Sequence, residues 1–344
     1  MKAIRLFSAS LAVGMLACAS EETPTEPTPG VSAARAAVQT YTAVDLGTLG
    51  GPFSEATAIN AAGQVVGSST TSEGERHAFL WEKDVMTDLG TFGGTESQAS
   101  GINPAGQVVG WYVTDGVTQH AFVWTKGVKT DLGDLGGASL ASGINPRGQV
   151  AGWSLTAEGV PHAFLWDKGV MTDLGTLDAC CSAAFAINPA GQVVGQNQTE
   201  ADATYAFLWE KGVMSDLGTR DVSTGAGYAI NPQGQVVGYR QTAVGGDTHA
   251  VLWDKGVMTD LGTLGGGTFS TAKGINPAGQ VVGNSEGAGF GSHAFLWENG
   301  VMTDLGTLGG NGSLATAINP AGQVVGASQP AGSVYTHATL WTRK

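Results

Sequence analysis

All six histidines of the chain, His77, His120, His162, His249, His293 and His337, occupy one position of a recurring HAFLW-type segment, and Tyr205 fills that position in the seventh copy. A ring of imidazoles could hold a metal ion or move protons. A histidine that recurs in nearly every copy is instead expected to serve the scaffold, hydrogen-bonded to a nearby Thr, Ser or Asp side chain. Tyr205 fits that role, because a phenol can replace an imidazole as a hydrogen-bonding group. The seven Asp residues of the DLG motif are read the same way, as turn residues. One stretch, Gly283-Asn284-Ser285-Glu286-Gly287, matches the G-x-S-x-G pattern of a nucleophile elbow. That motif needs a strand entering a helix and a partnered His and acid, and here it leaves a strand for a loop. There is no CxxC pair, HExxH or calcium-loop pattern. No catalytic residue, metal or cofactor is therefore assigned.

Binding is the chemistry to look for where the copies differ. After each VVG the residue varies: Ser68, Trp111, Trp153, Gln196, Tyr239, Asn284 and Ala327. Two successive copies offer Trp, and Tyr112 follows the first. Trp111, Tyr112, Trp153, Gln196 and Tyr239 are accordingly the candidate binding residues, with packing between repeats as the competing role of the two Trp. Cys180-Cys181 interrupts the connection beside them; a vicinal disulfide, two free thiols or an intermolecular bridge are the alternatives.

These residues ride on a repeat. DLGTLGG or a relative starts at Asp45, Asp88, Asp131, Asp173, Asp216, Asp260 and Asp304, at intervals of 42 to 44 residues. INPAGQVVG and HAFLW recur seven times each, and no segment has helical periodicity. Each unit reads as four strands. The first is built of small residues (Ser97–Asn103 in one copy) and ends in a Pro-Ala-Gly turn; QVVG and HAFLW follow, and an acidic-Lys-Gly hairpin leads to VMTDL. The small residues belong at a crowded axis. HAFLW is apolar on both faces, as for a sheet sandwiched between neighbours. The last copy, HATLWTRK, lacks its VMTDL strand, and the counterpart stands at Tyr41–Leu46 with no HAFLW before it. The expected fold is an all-β, seven-bladed propeller of four-stranded blades, closed by pairing the N-terminal strand (41–46) with the last blade. Closure leaves no exposed sheet edge. The two hairpin turns of each unit then share one face, and the variable loops share the other, where binding is expected.

Residues 1–17 have a short cationic start and an apolar run and read as a signal peptide. Met15-Leu16-Ala17-Cys18 resembles a bacterial lipobox, which implies Cys18 as a lipid anchor and export to the outer membrane or cell surface, with secreted or periplasmic release as the alternative. Residues 18–40 are rich in Pro, Thr and Glu and read as a tether reaching about 70 Å at most. The propeller domain spans 41–344. A net charge of −13 falls to −15 when Lys2 and Arg5 leave with the leader, so nucleic acid is excluded as a partner.

HAFLW and INPAGQVVG resemble the HAF repeats of bacterial extracellular proteins over Tyr41–Trp341. The resemblance implies an exported protein and carries no catalytic residues with it. The expected function is a membrane-anchored, monomeric, non-catalytic binding or scaffold module for a glycan or another exported protein, touching the membrane through its anchor only. The alternative is a propeller hydrolase or lyase acting on polysaccharide. An enzyme should place acids or bases in one or two copies only, whereas the loop acids such as Glu73, Glu158 and Glu286 are spread thinly.

Overall fold

A computed structural model describes residues 40–114, 116–177, 180–199, 201, 203–222, 224–287 and 290–344. The signal peptide, Cys18 and nearly all of the tether lie outside the described residues. Gln39–Lys344 is one compact unit.

The chain opens with β1 (Tyr41–Asp45) and then builds blade 1 from β2 (Gly50–Ile59), β3 (Val65–Thr71), β4 (Arg76–Glu82) and β5 (Val85–Gly90). Five further antiparallel four-stranded sheets repeat this order, and the seventh is completed by β1. Two 3-10 turns, Arg220–Val222 and Leu264–Gly266, interrupt the pattern. β1 pairs with the last strand, His337–Arg343, in the register Tyr41↔Arg343 to Asp45↔Thr339, with Val44 opposite Leu340. The seam is packed as well as hydrogen-bonded. Leu46, Ala56, Val65 and Phe79 share one buried cluster with Val325, Ala338 and Leu340.

The repeat motifs explain themselves locally. In each VVG the glycine faces a carbonyl of the inner strand: a Cβ on Gly110 would lie 1.9 Å from Gln98 O. No side chain fits there. The hairpins at the outer edge hold both central residues at positive φ, as in Lys168 (50°) and Gly169 (91°), which matches the twist of antiparallel strands. Blade 1 departs from this by carrying Lys83 and Asp84 (φ 62°) where the other five hairpins end in Gly. Asp84→Gly should therefore raise the unfolding free energy by about 1 kcal/mol, measured by denaturant titration, since a left-handed residue other than Gly costs about 1–2 kcal/mol.

Polar rings lock the blades to one another. The side chain of Asn60 donates from Nδ2 to Asn103 O at 3.2 Å, and Asn103 to Asn145, Asn145 to Asn188, Asn188 to Asn231, Asn231 to Asn276 and Asn276 to Asn319 repeat the contact. Asn319 donates back to Asn60 O, closing the circle. A second set joins HAF to the next inner strand: Ser97 Oγ accepts from Ala78 N at 2.8 Å and donates to Gly90 O at 2.7 Å. In blade 5 that serine is Gly225, whose missing side chain makes room for Thr219, and Thr219 Oγ1 accepts from Ala206 N instead.

Candidate binding site

The histidines are tied to the DLG aspartates. His77 Nδ1 lies 2.8 Å from Asp88 Oδ2, and His162–Asp173, His249–Asp260 and His293–Asp304 repeat the distance. His337 pairs at 2.7 Å with Asp45, supplied by β1 across the seam. The other carboxylate oxygen accepts the N–H of the glycine two residues on, at 2.8 Å for Asp45 and Gly47. Each aspartate thus holds a turn and a strand end together. In blade 4 Tyr205 donates to Leu177 O, and the Arg220 guanidinium lies 4.4 Å from its ring centre while approaching Asp216 at 3.7 Å.

Ser285, of the G-x-S-x-G match, stands opposite His293, itself bound to Asp304. Its hydroxyl is fully buried, accepts from Leu264 N and is within reach of Phe269 O and Glu286 O. Ser69, His77 and Asp88 form the same trio in blade 1, and their serine accepts from Leu49 N in the same way. A constellation repeated blade after blade with a sealed hydroxyl is scaffold, without room for a substrate carbonyl. Among the described residues no group of three or more His, Cys, Asp or Glu side chains is arranged to hold a metal ion.

The residues after VVG all sit where one blade meets the inner strand of the next, and their surroundings divide them. Trp111 is only 8% exposed and Tyr112 only 5%. Leu140, in the inner strand Gly136–Ile144, stands directly opposite Trp153 in one sheet, as Ala183 of Cys181–Ile187 stands opposite Gln196 in the next. Tyr112 replaces the serine of other blades. Its hydroxyl donates to Asp131 Oδ2 at 2.6 Å, leaving His120 4.0 Å from that carboxylate. Phe92, in place of the usual leucine, packs edge-on to its ring, and Lys129 Nζ lies 3.5 Å from the ring centre. Burial first, then the Asp131 hydrogen bond, push the Tyr112 phenol well above its ordinary range.

Trp153 is half-buried and lines an open crevice of about 180 Å³ between blades 3 and 4, together with Pro161, Cys181, Ser182, Ala183, Gln196 and Gln198. Ser182 and Ala183 of blade 4 border the open space together with the indole. Trp153 and Gln196 are therefore brought together, and Trp111 and Tyr112 are built into the packing. Cys180 and Cys181 stand as thiols with sulfurs 3.0 Å apart, longer than the roughly 2.05 Å of a disulfide. Burial, then the neighbouring thiol, push Cys181 up to about 11.

Tyr239 belongs to a second crevice, of about 280 Å³ between blades 5 and 6, shared with Tyr228, Thr248, Phe269, Thr271 and Lys273. Lys273 is absent from the sequence-based candidates. The signal for it was its place in the repeat: the same position holds Thr57, Ser100, Ser142, Phe185, Tyr228 and Thr316 in other blades. A register shift between flanking pairs falls on this residue in blade after blade, as between Ala272 and Gly274. Such a bulge re-aims a side chain, here into the channel along the axis, which Ser100, Ser142, Phe185, Tyr228, Lys273 and Thr316 line.

No protein-family model matches the chain, and neither does any curated protein. Solved structures match in fold. The β-propeller domain of the Trilobed protease from Pyrococcus furiosus, reported with an open velcro topology, aligns with a TM-score of 0.59 at 10% identity over 85% of this chain and 95% of that one. A Mycobacterium tuberculosis puromycin-hydrolyzing peptidase gives 0.53 at 14% identity, over 77% of this chain and 47% of its own. The Pyrococcus horikoshii acylaminoacyl peptidase gives 0.52 at 12%, over 85% and 52%. The chain spans about half the length of these two peptidases. At such identities the likeness is one of fold alone.

Proposed function

We propose that this protein is an exported, membrane-anchored, non-catalytic binding module, with a glycan as the ligand of the crevice between blades 3 and 4. The observation that carries the reading is the half-exposed Trp153 ring flanked by the amide side chains of Gln196 and Gln198. An apolar ring face with hydrogen-bonding groups at its rim suits a sugar, whose faces are C–H and whose edges are hydroxyls. The likeness of the sequence to HAF repeats and the lipobox at Cys18 support export and anchorage at the outer membrane or cell surface. The Ser, His and Asp side chains are already committed to the scaffold, which favours binding over hydrolysis.

A glycan array and an envelope-lysate pull-down with residues 40–344 test this. Trp153→Ala should weaken glycan capture by at least about tenfold, the equivalent of about 1.4 kcal/mol. Trp111→Ala should lower the melting temperature and leave affinity unchanged. Glycan capture that survives Trp153→Ala overturns the reading.

A further inference from the structure

The crevice between blades 5 and 6 is chemically unlike the one at Trp153. Tyr228 and Tyr239 stack with ring centres 5.6 Å apart and planes 28° off parallel, and Phe185 continues the aromatic wall 5.2 Å from Tyr228. Lys273 lies against this wall, its Nζ 3.4 Å from the centre of the Tyr228 ring. Among the described residues no carboxylate forms an ion pair with it, and burial pulls its ammonium down to about 8.

A desolvated ammonium is stabilised only in part by an aromatic face, a cost to a domain that gains nothing from it. Six other blades manage with a hydroxyl or an aromatic ring at the Lys273 position. An anion in the crevice would satisfy the ammonium. One cation can neutralise one negative charge, so a monoanion suits the site better than a phosphate dianion, whose second charge would stay uncompensated. At about 280 Å³ the space holds one ring.

We propose that the crevice between blades 5 and 6 binds a small ring-bearing carboxylate, with the carboxylate on Lys273 Nζ and the ring against Tyr239. Two sources share this chemistry, the uronic-acid residue of an acidic saccharide and a free aromatic acid. The site is separate from the crevice of Trp153 and does not rest on a glycan binding there.

Calorimetric titration of the protein with glucuronate, galacturonate and benzoate, against glucose and benzyl alcohol as neutral counterparts and inorganic phosphate as the dianion, tests it. At least one carboxylate should bind at least about tenfold more tightly than its neutral counterpart, and whether the uronates or benzoate do so identifies the source. Lys273→Met should remove that preference while melting no lower than the wild type, because it deletes an unpaired buried charge. Equal binding of carboxylate and neutral counterpart, a preference retained by Lys273→Met, tighter binding of phosphate, or no binding of any carboxylate by the wild type would each overturn the proposal.

Discussion

Deletion of Tyr41–Leu46 is expected to leave no soluble monomer. The segment supplies the outer strand of the last blade, the Asp45 partner of His337 and the buried Leu46 side chain. Without it the strand His337–Arg343 presents an unpaired edge with alternate apolar residues, the kind of surface that recruits other chains. The loss is not confined to six residues, because a single blade cannot offset the entropy of ordering its own chain. Stability of about 5–15 kcal/mol should fall by most of its value. Size-exclusion chromatography and thermal melting measure this. A point change separates the seam from the deletion as such: Leu46→Asp places a carboxylate in the cluster of Phe79 and Leu340 and should act in the same direction. A peptide covering residues 40–47, added in trans, should restore the deleted protein to a monomer by pairing as a donor strand. A deleted protein that is monomeric and melts like the parent would contradict closure by β1.

The second large effect is expected from the asparagine circle. Asn188 uses its whole side chain: Oδ1 accepts from Ala190 N and Gln192 N, and Nδ2 donates to Gln192 Oε1 and Asn231 O. Asn188→Ala leaves a buried carbonyl and two turn N–H groups without partners, each worth about 1–3 kcal/mol when orphaned. A loss of about 3 kcal/mol, after partial relaxation and hydration, should lower the melting temperature by about 6–10 °C. Adding Asn231→Ala should cost less than a second full increment, because the two residues share a bond. A single change that moves the melting temperature by less than about 2 °C would show that the circle is incidental to stability.

The architecture was legible because it is local and repeated. The period of 42 to 44 residues, the alternating HAFLW strand and the displaced YTAVDL segment are each visible in the order of residues, and the β1 pairing follows from them. The sites were legible only in part. Trp111 and Trp153 look alike in sequence, and what separates them is burial of the first between blades and the open crevice beside the second, which no residue next to either one announces. The asparagines read as turn formers, which they are, but their reach into the adjacent blade appears only when blades are set side by side. Lys273 carries no mark of a site in its own stretch of sequence. Its meaning depends on Tyr228 in the preceding blade and on a bulge that aims it at the axis, neither of which is a property of its own neighbourhood.

The most direct test of the account, in which the crevice between blades 3 and 4 binds through the Trp153 face and the amides at its rim, removes those amides. The double change Gln196→Ala with Gln198→Ala should leave the indole in place without its hydrogen-bonding rim. Titration of the glycan captured by the wild-type protein should then show affinity reduced by at least about thirtyfold, with the melting temperature within about 3 °C of the parent. Affinity within about threefold of wild type in a correctly folded protein carrying Gln196→Ala and Gln198→Ala would place the ligand elsewhere and contradict the account.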